Sequence, residues 1–127
     1  MLFLEKRRFF VFFMLLLIGV EIFYISSIPG SASGGGFPFI PITYHFSVFF
    51  LFSFFLFFLI KGKRKIKTRH AIFALFLSLA YAVSDEFHQS FVPMRSPSLE
   101  DIFVDLIGIS FSILISIFIS RKSMQEY

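Results

Sequence analysis

The stretch "SDEFHQSFVPMRS" (residues 84–96) separates two long apolar runs and places two adjacent carboxylates and a histidine between them. Pro93 has no amide hydrogen to donate, so the helical run before it is expected to end there. The polar residues are either the end of a helix that meets water or a functional site at a membrane surface. Under both interpretations, residues 84–96 connect two antiparallel helices.

The solvent around these apolar runs is predicted to be lipid. The chain has 127 residues, of which 57% are hydrophobic and 23 are phenylalanine. A domain of this size has too little interior to hide that much apolar surface from water. The absence of cysteine excludes disulfides and thiolate metal sites.

Four apolar runs each approach the ~20 residues needed to cross a hydrocarbon core of ~30 Å. They cover approximately residues 9–28, 43–60, 71–92 and 101–120. Helices are expected, because lipid cannot satisfy the backbone groups of an open sheet. The sequence therefore predicts an all-α polytopic membrane protein, with a single domain over residues 1–127 and four transmembrane helices.

The twelve lysine and arginine residues predict the orientation of these spans. Eleven of them precede the first run, lie between the second and third, or follow the fourth, and Arg95 alone lies on the opposite side. By the positive-inside rule, both termini are cytoplasmic, in a multi-pass protein of the plasma membrane. Cations confined to the edges of apolar runs also argue against a nucleic-acid partner. A cleaved signal peptide is the alternative for the first run, and Glu21 within that run disfavours it.

The first outer segment, "IPGSASGGGFPFIP" (residues 28–41), is uncharged and rich in glycine, serine and proline. It is predicted to be a flexible connector, with a mobile flap over the outer surface as the alternative. Ser26 and Ser27, just before it, are expected to be solvated.

Six of the eight acidic residues map to the outer half of the membrane or its outer edge. They are Glu21, Asp85, Glu86, Glu100, Asp101 and Asp105. If all six ionise, only Arg95 offsets them unless a histidine is protonated. This imbalance favours bound protons, a metal ion or a cationic ligand.

Helical periodicity places many of these acids on two facing stripes. The stripe on the third span consists of Asp85, Glu86, His88 and Gln89, and it continues inward through Ala74, Ser78 and Ala82. The stripe on the fourth span consists of Asp101, Asp105, Gly108 and Ser112. Small and polar residues mark contacts between membrane helices, so both stripes are expected to face the bundle interior, with Phe76 and Val83 facing lipid.

A bound divalent metal ion is the first kind of site that this cluster allows. Mixed carboxylate and imidazole sets suit such ions, and the candidate ligands are Asp85, His88, Asp101 and Asp105. The ion would then be the cofactor.

An acid–base or binding site is the second kind. Its candidate catalytic residues are Asp85, Glu86 and His88. The candidate substrate-binding residues are Gln89, Arg95, His45 and Glu21. Among them, Arg95 suits a phosphate or carboxylate group.

A purely structural interpretation exists beside these two. Glu100 and Asp101 favour a helix N-terminus, with Ser96 or Ser98 as the N-cap residue and Pro97 in the first turn. The polar side chains would then only hold the helices together.

The stretch "SDEFHQSFVPMRSPSLEDIFVDLIG" (residues 84–108) resembles the signature of the VanZ-like family of small bacterial membrane proteins. The matching positions are Asp85, Glu86, His88, Gln89, Pro93, Arg95, Asp101 and Gly108. The earlier "SSIPG" and His45 are also similar to family features. Met94 stands where the family pattern has a glycine, in the turn that aims Arg95.

The resemblance implies a role in the cell envelope, since the founding member is associated with low-level resistance to the glycopeptide teicoplanin. The leading hypothesis is a polar site at the outer leaflet that binds or processes a lipid-linked or surface glycan. The expected partners are then the lipid bilayer and a cell-wall precursor or glycopeptide. The alternatives are a cation- or proton-binding transport protein and a non-catalytic structural bundle.

Overall fold

The computed structural model describes residues 7–30 and 39–125, which form four α-helices and, within those ranges, no strand. The helices are α1 (Arg8–Ser26), α2 (Phe39–Lys61), α3 (Thr68–Gln89) and α4 (Leu99–Gln125). Each is long and apolar enough to cross a membrane. The predicted all-α fold with four transmembrane helices is therefore confirmed. Most of the predicted connector or flap of residues 28–41 lies outside the described residues.

Every helix end differs from its predicted span by one to five residues, and local chemistry accounts for two of these differences. Helix α3 ends at Gln89 rather than at residue 92, a few residues before Pro93, which disfavours helical backbone at the residue that precedes it. Helix α4 begins at Leu99, two residues before the predicted start, because Ser98 caps it. The Ser98 hydroxyl accepts the amide of Asp101 at 3.3 Å, as an N-cap residue does.

Helix α2 lies at the centre of the bundle, in contact with the three other helices and most extensively with α4. Its buried Phe49, Phe57 and Phe58 form the middle of the core. Gly108 of α4 permits this close approach, because a Cβ there would lie 2.6 Å from the carbonyl oxygen of Phe46. Gly108, on the stripe predicted for the fourth span, therefore faces the bundle interior as expected.

The faces predicted for α3 are also observed. Ala74, Ser78 and Ala82 are buried, whereas Phe76 and Val83 are exposed at the perimeter. Helix α1 carries exposed phenylalanine and leucine side chains along most of its length, which suits contact with lipid.

The four helices bring the six acidic residues within the described ranges to one end of the bundle. This acidic end comprises the end of α1, the start of α2, the end of α3 and the start of α4. The opposite, basic end contains Arg8, the α2–α3 loop and the end of α4. The cytoplasmic location of the basic end stays a prediction.

The end of α1 is tied to the α3–α4 loop at the acidic end. The Gly30 amide donates to the carbonyl of Pro93 at 3.1 Å, and a Cβ on Gly30 would lie 1.9 Å from the carbonyl oxygen of Met94. Met94 itself has φ of 59°, the left-handed conformation that glycine adopts most readily. The turn thus keeps the backbone shape that a glycine would allow, and it still aims Arg95 toward α1.

Candidate functional site

A cavity of 330 Å³ lies at the acidic end, between the end of α1, the start of α2 and the end of α3. Its volume lies at the lower end of the range of about 300–1,000 Å³ typical of small-molecule sites. The lining residues are Ile22, Ile25, Ser26, Pro41, Tyr44, His45, Phe49, Asp85, Gln89 and Arg95. Four residues predicted for the site, Asp85, Gln89, His45 and Arg95, therefore lie around one space.

Asp85 links α1 to α3 at the wall of this cavity. Its carboxylate accepts hydrogen bonds from the Ser26 hydroxyl and, at 3.1 Å, from the Gln89 amide nitrogen. Gln89 lies one turn after Asp85 on the same face of α3, as the predicted stripe requires. Both side chains are buried, so their polar atoms are held in place rather than solvated.

Glu86 links the end of α3 to the start of α4. Its Oε2 accepts the backbone amide of Ser98 at 2.8 Å, while its Oε1 lies 3.4 Å from the Gln89 amide nitrogen. In a capping box, a glutamate in the first turn of the same helix accepts the N-cap amide. Here a glutamate from the neighbouring helix accepts the N-cap amide. Asp101, in the first turn of α4, lies near His45 instead.

His45 and Asp105 form a buried pair between α2 and α4. His45 Nδ1 lies 3.0 Å from Asp105 Oδ1, and His45 Nε2 lies 3.9 Å from Asp101 Oδ2. Asp105 is fully buried, nearly two turns inside α4, where a carboxylate needs a partner. With Nδ1 donating to Asp105, the imidazole is fixed in orientation and its Nε2 can accept a proton or bind an ion.

Arg95 extends from the α3–α4 loop to the end of α1. Its Nε donates to the carbonyl of Ile28 at 3.1 Å and its Nη2 donates to the carbonyl of Ile25 at 3.2 Å. These two bonds fix the guanidinium at the cavity edge. Within residues 7–30 and 39–125 the other N–H groups of the guanidinium fork bind no protein group, so a ligand can accept from them.

Two of the residues predicted for the site, His88 and Glu21, lie at its periphery. His88 Nε2 lies 3.0 Å from the Ser27 hydroxyl, and its ring stacks on Phe23 with 4.7 Å between centroids. Glu21 is exposed at the bundle surface and accepts the Tyr44 hydroxyl at 3.0 Å. Tyr44 connects Glu21 to the cavity, because it is itself a lining residue.

The structure groups the candidate metal ligands differently from the prediction. Asp85 bonds to Ser26 and Gln89, and His88 bonds to Ser27. In the part of the chain that the structure describes, the one group of three or more acids and histidines whose ligand atoms all lie within 4.8 Å of one another consists of His45, Glu86 and Asp105.

Sequence reasoning missed the pairing of His45 with Asp105 and the role of Ser26. The expectation that Ser26 is solvated is wrong, because the residue is 4% exposed and donates to Asp85. One signal for the pair was present: His45 and Asp105 each lie nearly two turns after the first residue of their helices, α2 and α4. Two helices that start at the same end of a bundle bring such residues to the same depth.

A family model, VanZ/LLP1, matches residues 9–120 of the chain. The chain belongs to the VanZ/LLP1 family. The match includes every residue of the cavity and of the buried pair, and it confirms the resemblance seen in residues 84–108. No curated protein and no solved structure gives a significant match.

Two kinds of chemistry are open to this VanZ/LLP1 protein. A histidine oriented by a buried carboxylate is the arrangement that a general base uses and also the arrangement that supports a metal ligand. A guanidinium fixed at the rim of a polar cavity binds anionic groups such as phosphate or carboxylate.

Proposed function

We propose that this VanZ/LLP1 protein is a cell-envelope membrane protein whose acidic-end cavity binds the polar headgroup of a lipid-linked glycan at the outer leaflet. The observation that carries the proposal is the cavity itself, a space of 330 Å³ between three membrane-spanning helices.

The lining suits a sugar-containing headgroup. Asp85, Gln89 and Tyr44 offer both hydrogen-bond acceptors and donors to hydroxyl groups. Phe49 supplies an apolar floor against which a ring can pack. Arg95 at the rim would bind a phosphate that joins the sugar to its lipid.

An apolar groove beside the cavity suits the lipid chain. This groove has a volume of 390 Å³ and is lined by Phe12, Leu15, Leu16, Gly19, Val20, Phe23, Phe52 and Tyr81. Gly19 lies one turn of α1 below Ile22 of the cavity, so the groove continues from the cavity toward the middle of the membrane. A headgroup in the cavity would then lie at the membrane surface, and a hydrocarbon chain in the groove would lie within the hydrocarbon core.

The positive-inside rule supports the orientation that this function requires. It places the basic end in the cytoplasm and the acidic end at the outer surface, where cell-wall precursors are exposed. Binding of such a precursor also offers a route to glycopeptide resistance of the kind associated with the founding VanZ member.

Binding to lipids of known headgroup tests the proposal. Purified protein in nanodiscs is titrated with a polyisoprenyl diphosphate that carries a glycan, with the same lipid lacking the glycan, and with phosphatidylglycerol. The glycan lipid is expected to bind best. The substitutions Asp85→Asn and Gln89→Ala should each weaken that binding about tenfold, the value of one hydrogen bond to a charged or polar group.

Glu100→Gln is the matched control, since Glu100 is exposed at the start of α4 and does not line the cavity. Its affinity should equal that of the unsubstituted protein. Equal affinity for all three lipids, or equal losses in the control and the cavity variants, would refute a headgroup site.

A further inference from the structure

Three helices each contribute one ionisable side chain to a buried cluster beside the cavity. Helix α2 contributes His45, α3 contributes Glu86 and α4 contributes Asp105, and these residues are 6%, 2% and 0% exposed. One imidazole nitrogen and one oxygen from each carboxylate lie within 4.8 Å of one another. We call this cluster the buried triad.

The charge of the buried triad is not balanced by a fixed cation. Among the described residues, the basic side chain that contacts Asp105 is His45 itself. Arg95, the basic residue of this end, donates instead to two backbone carbonyls of α1. Two carboxylates and a neutral imidazole carry a charge of −2, which is costly inside a membrane bundle and which a divalent cation would neutralise.

An unsatisfied oxygen within the buried triad supports the same conclusion. Asp105 Oδ1 contacts His45, but Oδ2 is buried without a hydrogen-bond partner among the residues that the structure describes. Buried carboxylate oxygens almost always have a partner, and an orphan in a fully buried position points to a bound ion or water.

The surrounding contacts hold the ligand groups in position. The Ser98 amide binds Glu86 Oε2 at 2.8 Å, and among the described residues Oε1 has only the 3.4 Å contact from Gln89. Asp101, whose side chain is 27% exposed, lies 3.9 Å from His45 Nε2 at the water-facing edge. Such outer contacts orient metal ligands, and Asp101 offers an approach route for a cation.

We propose that the buried triad of His45, Glu86 and Asp105 binds a divalent transition-metal ion. Imidazole favours zinc and similar metals over magnesium or calcium, and carboxylates complete the ligand set. Three protein ligands leave a coordination position open for water or for a group of a bound ligand. The ligand set differs from the predicted set of Asp85, His88, Asp101 and Asp105. His45 and Glu86 replace Asp85 and His88, and Asp101 is not one of the three ligands. The proposal does not depend on a headgroup in the cavity.

Metal binding to purified protein without a histidine tag tests the buried triad. The protein in nanodiscs is stripped with a chelator and titrated with Zn²⁺ by calorimetry. One equivalent of Zn²⁺ is expected to bind and to raise Tm, since a ligand that binds only the folded state stabilises it. Glu86→Gln and Asp105→Asn should weaken Zn²⁺ binding by more than tenfold.

Two control variants test whether Zn²⁺ binding depends on the buried triad rather than on the other acids of the acidic end. Asp85→Asn and Glu100→Gln should bind Zn²⁺ with unchanged stoichiometry. No bound Zn²⁺ in the unsubstituted protein would overturn the proposal, and so would loss of binding in Asp85→Asn with retention in Asp105→Asn.

A spectroscopic measurement on the unsubstituted protein covers the case in which the triad variants fail to fold. Protein with ¹⁵N-labelled histidine is loaded with Mn²⁺ or Cu²⁺ and studied by pulsed electron paramagnetic resonance. A nitrogen coupling from a single directly bound imidazole is expected. Its absence would overturn the proposal that the buried triad binds the metal ion. Failure of glycan-lipid binding while Zn²⁺ still binds would refute only the headgroup function, and the reverse result would refute only the metal site.

Discussion

Buried polar groups differ in their hydrogen-bond partners between the half of the bundle at the acidic end and the half toward the basic end. At the acidic end, Asp85 and Glu86 each accept two contacts, and Asp105 is paired with His45. Between that end and the basic end, five buried serine hydroxyls have no hydrogen-bond partner within the described ranges. They are Ser53, Ser78, Ser112, Ser116 and Ser120. Carboxylates cannot remain buried in a membrane bundle without partners, whereas a serine can be present for its small size alone.

The positions of these serines support a packing role. With a rise of 1.5 Å per residue, Ser53 lies about 12 Å along α2 from His45, and Ser78 lies about 12 Å along α3 from Glu86. Ser112 lies about 10 Å along α4 from Asp105. Three helices therefore place a small residue at the same depth, where each lets its neighbours approach closely.

Substitution of Asp105 by alanine is expected to give the largest loss of stability. The change leaves the imidazole of His45 buried without its partner, which costs about 1–3 kcal/mol, and removal of a fully buried side chain leaves a cavity that adds to this loss. The measurement is the free energy of unfolding in mixed micelles with increasing denaturing detergent. Glu100→Ala, at an exposed position near the start of α4, should change the same free energy by less than about 0.5 kcal/mol. Equal losses in the two variants would show that the pairing does not stabilise the acidic end.

Gly108→Ala is expected to have the next largest effect, because Gly108 lies between the acidic end and the serine level. An alanine Cβ would lie 2.6 Å from the backbone oxygen of Phe46, which cannot move as a side chain can. Overpacking of this kind costs about 1–3 kcal/mol.

Gly19→Ala is the matched control on α1. An alanine Cβ at position 19 would lie 3.5 Å from the ring of Phe52, an ordinary contact distance. The free energy of unfolding should therefore fall in Gly108→Ala and change little in Gly19→Ala. A tolerated alanine at position 108 would contradict the close approach of α2 and α4.

The same two halves differ in how well the sequence predicted them. Apolar run length predicted the four helices, and the alternation of small and large residues on α3 predicted its buried face, because both depend only on local composition. Helical periodicity likewise predicted that Asp85, Glu86 and Gln89 share one face of α3. The contact between His45 and Asp105 was not, because 60 residues separate them and only the packing of α2 against α4 brings them together. Likewise, nothing local indicates that Glu86 would cap the next helix.

Ser112→Ala is expected to have the smallest effect. The buried Ser112 hydroxyl lacks a partner among the described residues, so its removal abolishes no hydrogen bond and relieves an unsatisfied polar group. Alanine preserves the small size on which the packing depends, so the free energy of unfolding should stay within about 0.5 kcal/mol or rise slightly. Ser112→Leu, by contrast, should destabilise by about 1–3 kcal/mol, because the larger side chain forces the helices apart. If alanine destabilises as much as leucine, the hydroxyl itself takes part in a buried polar network, and the two halves of the bundle then stabilise their polar groups in the same way.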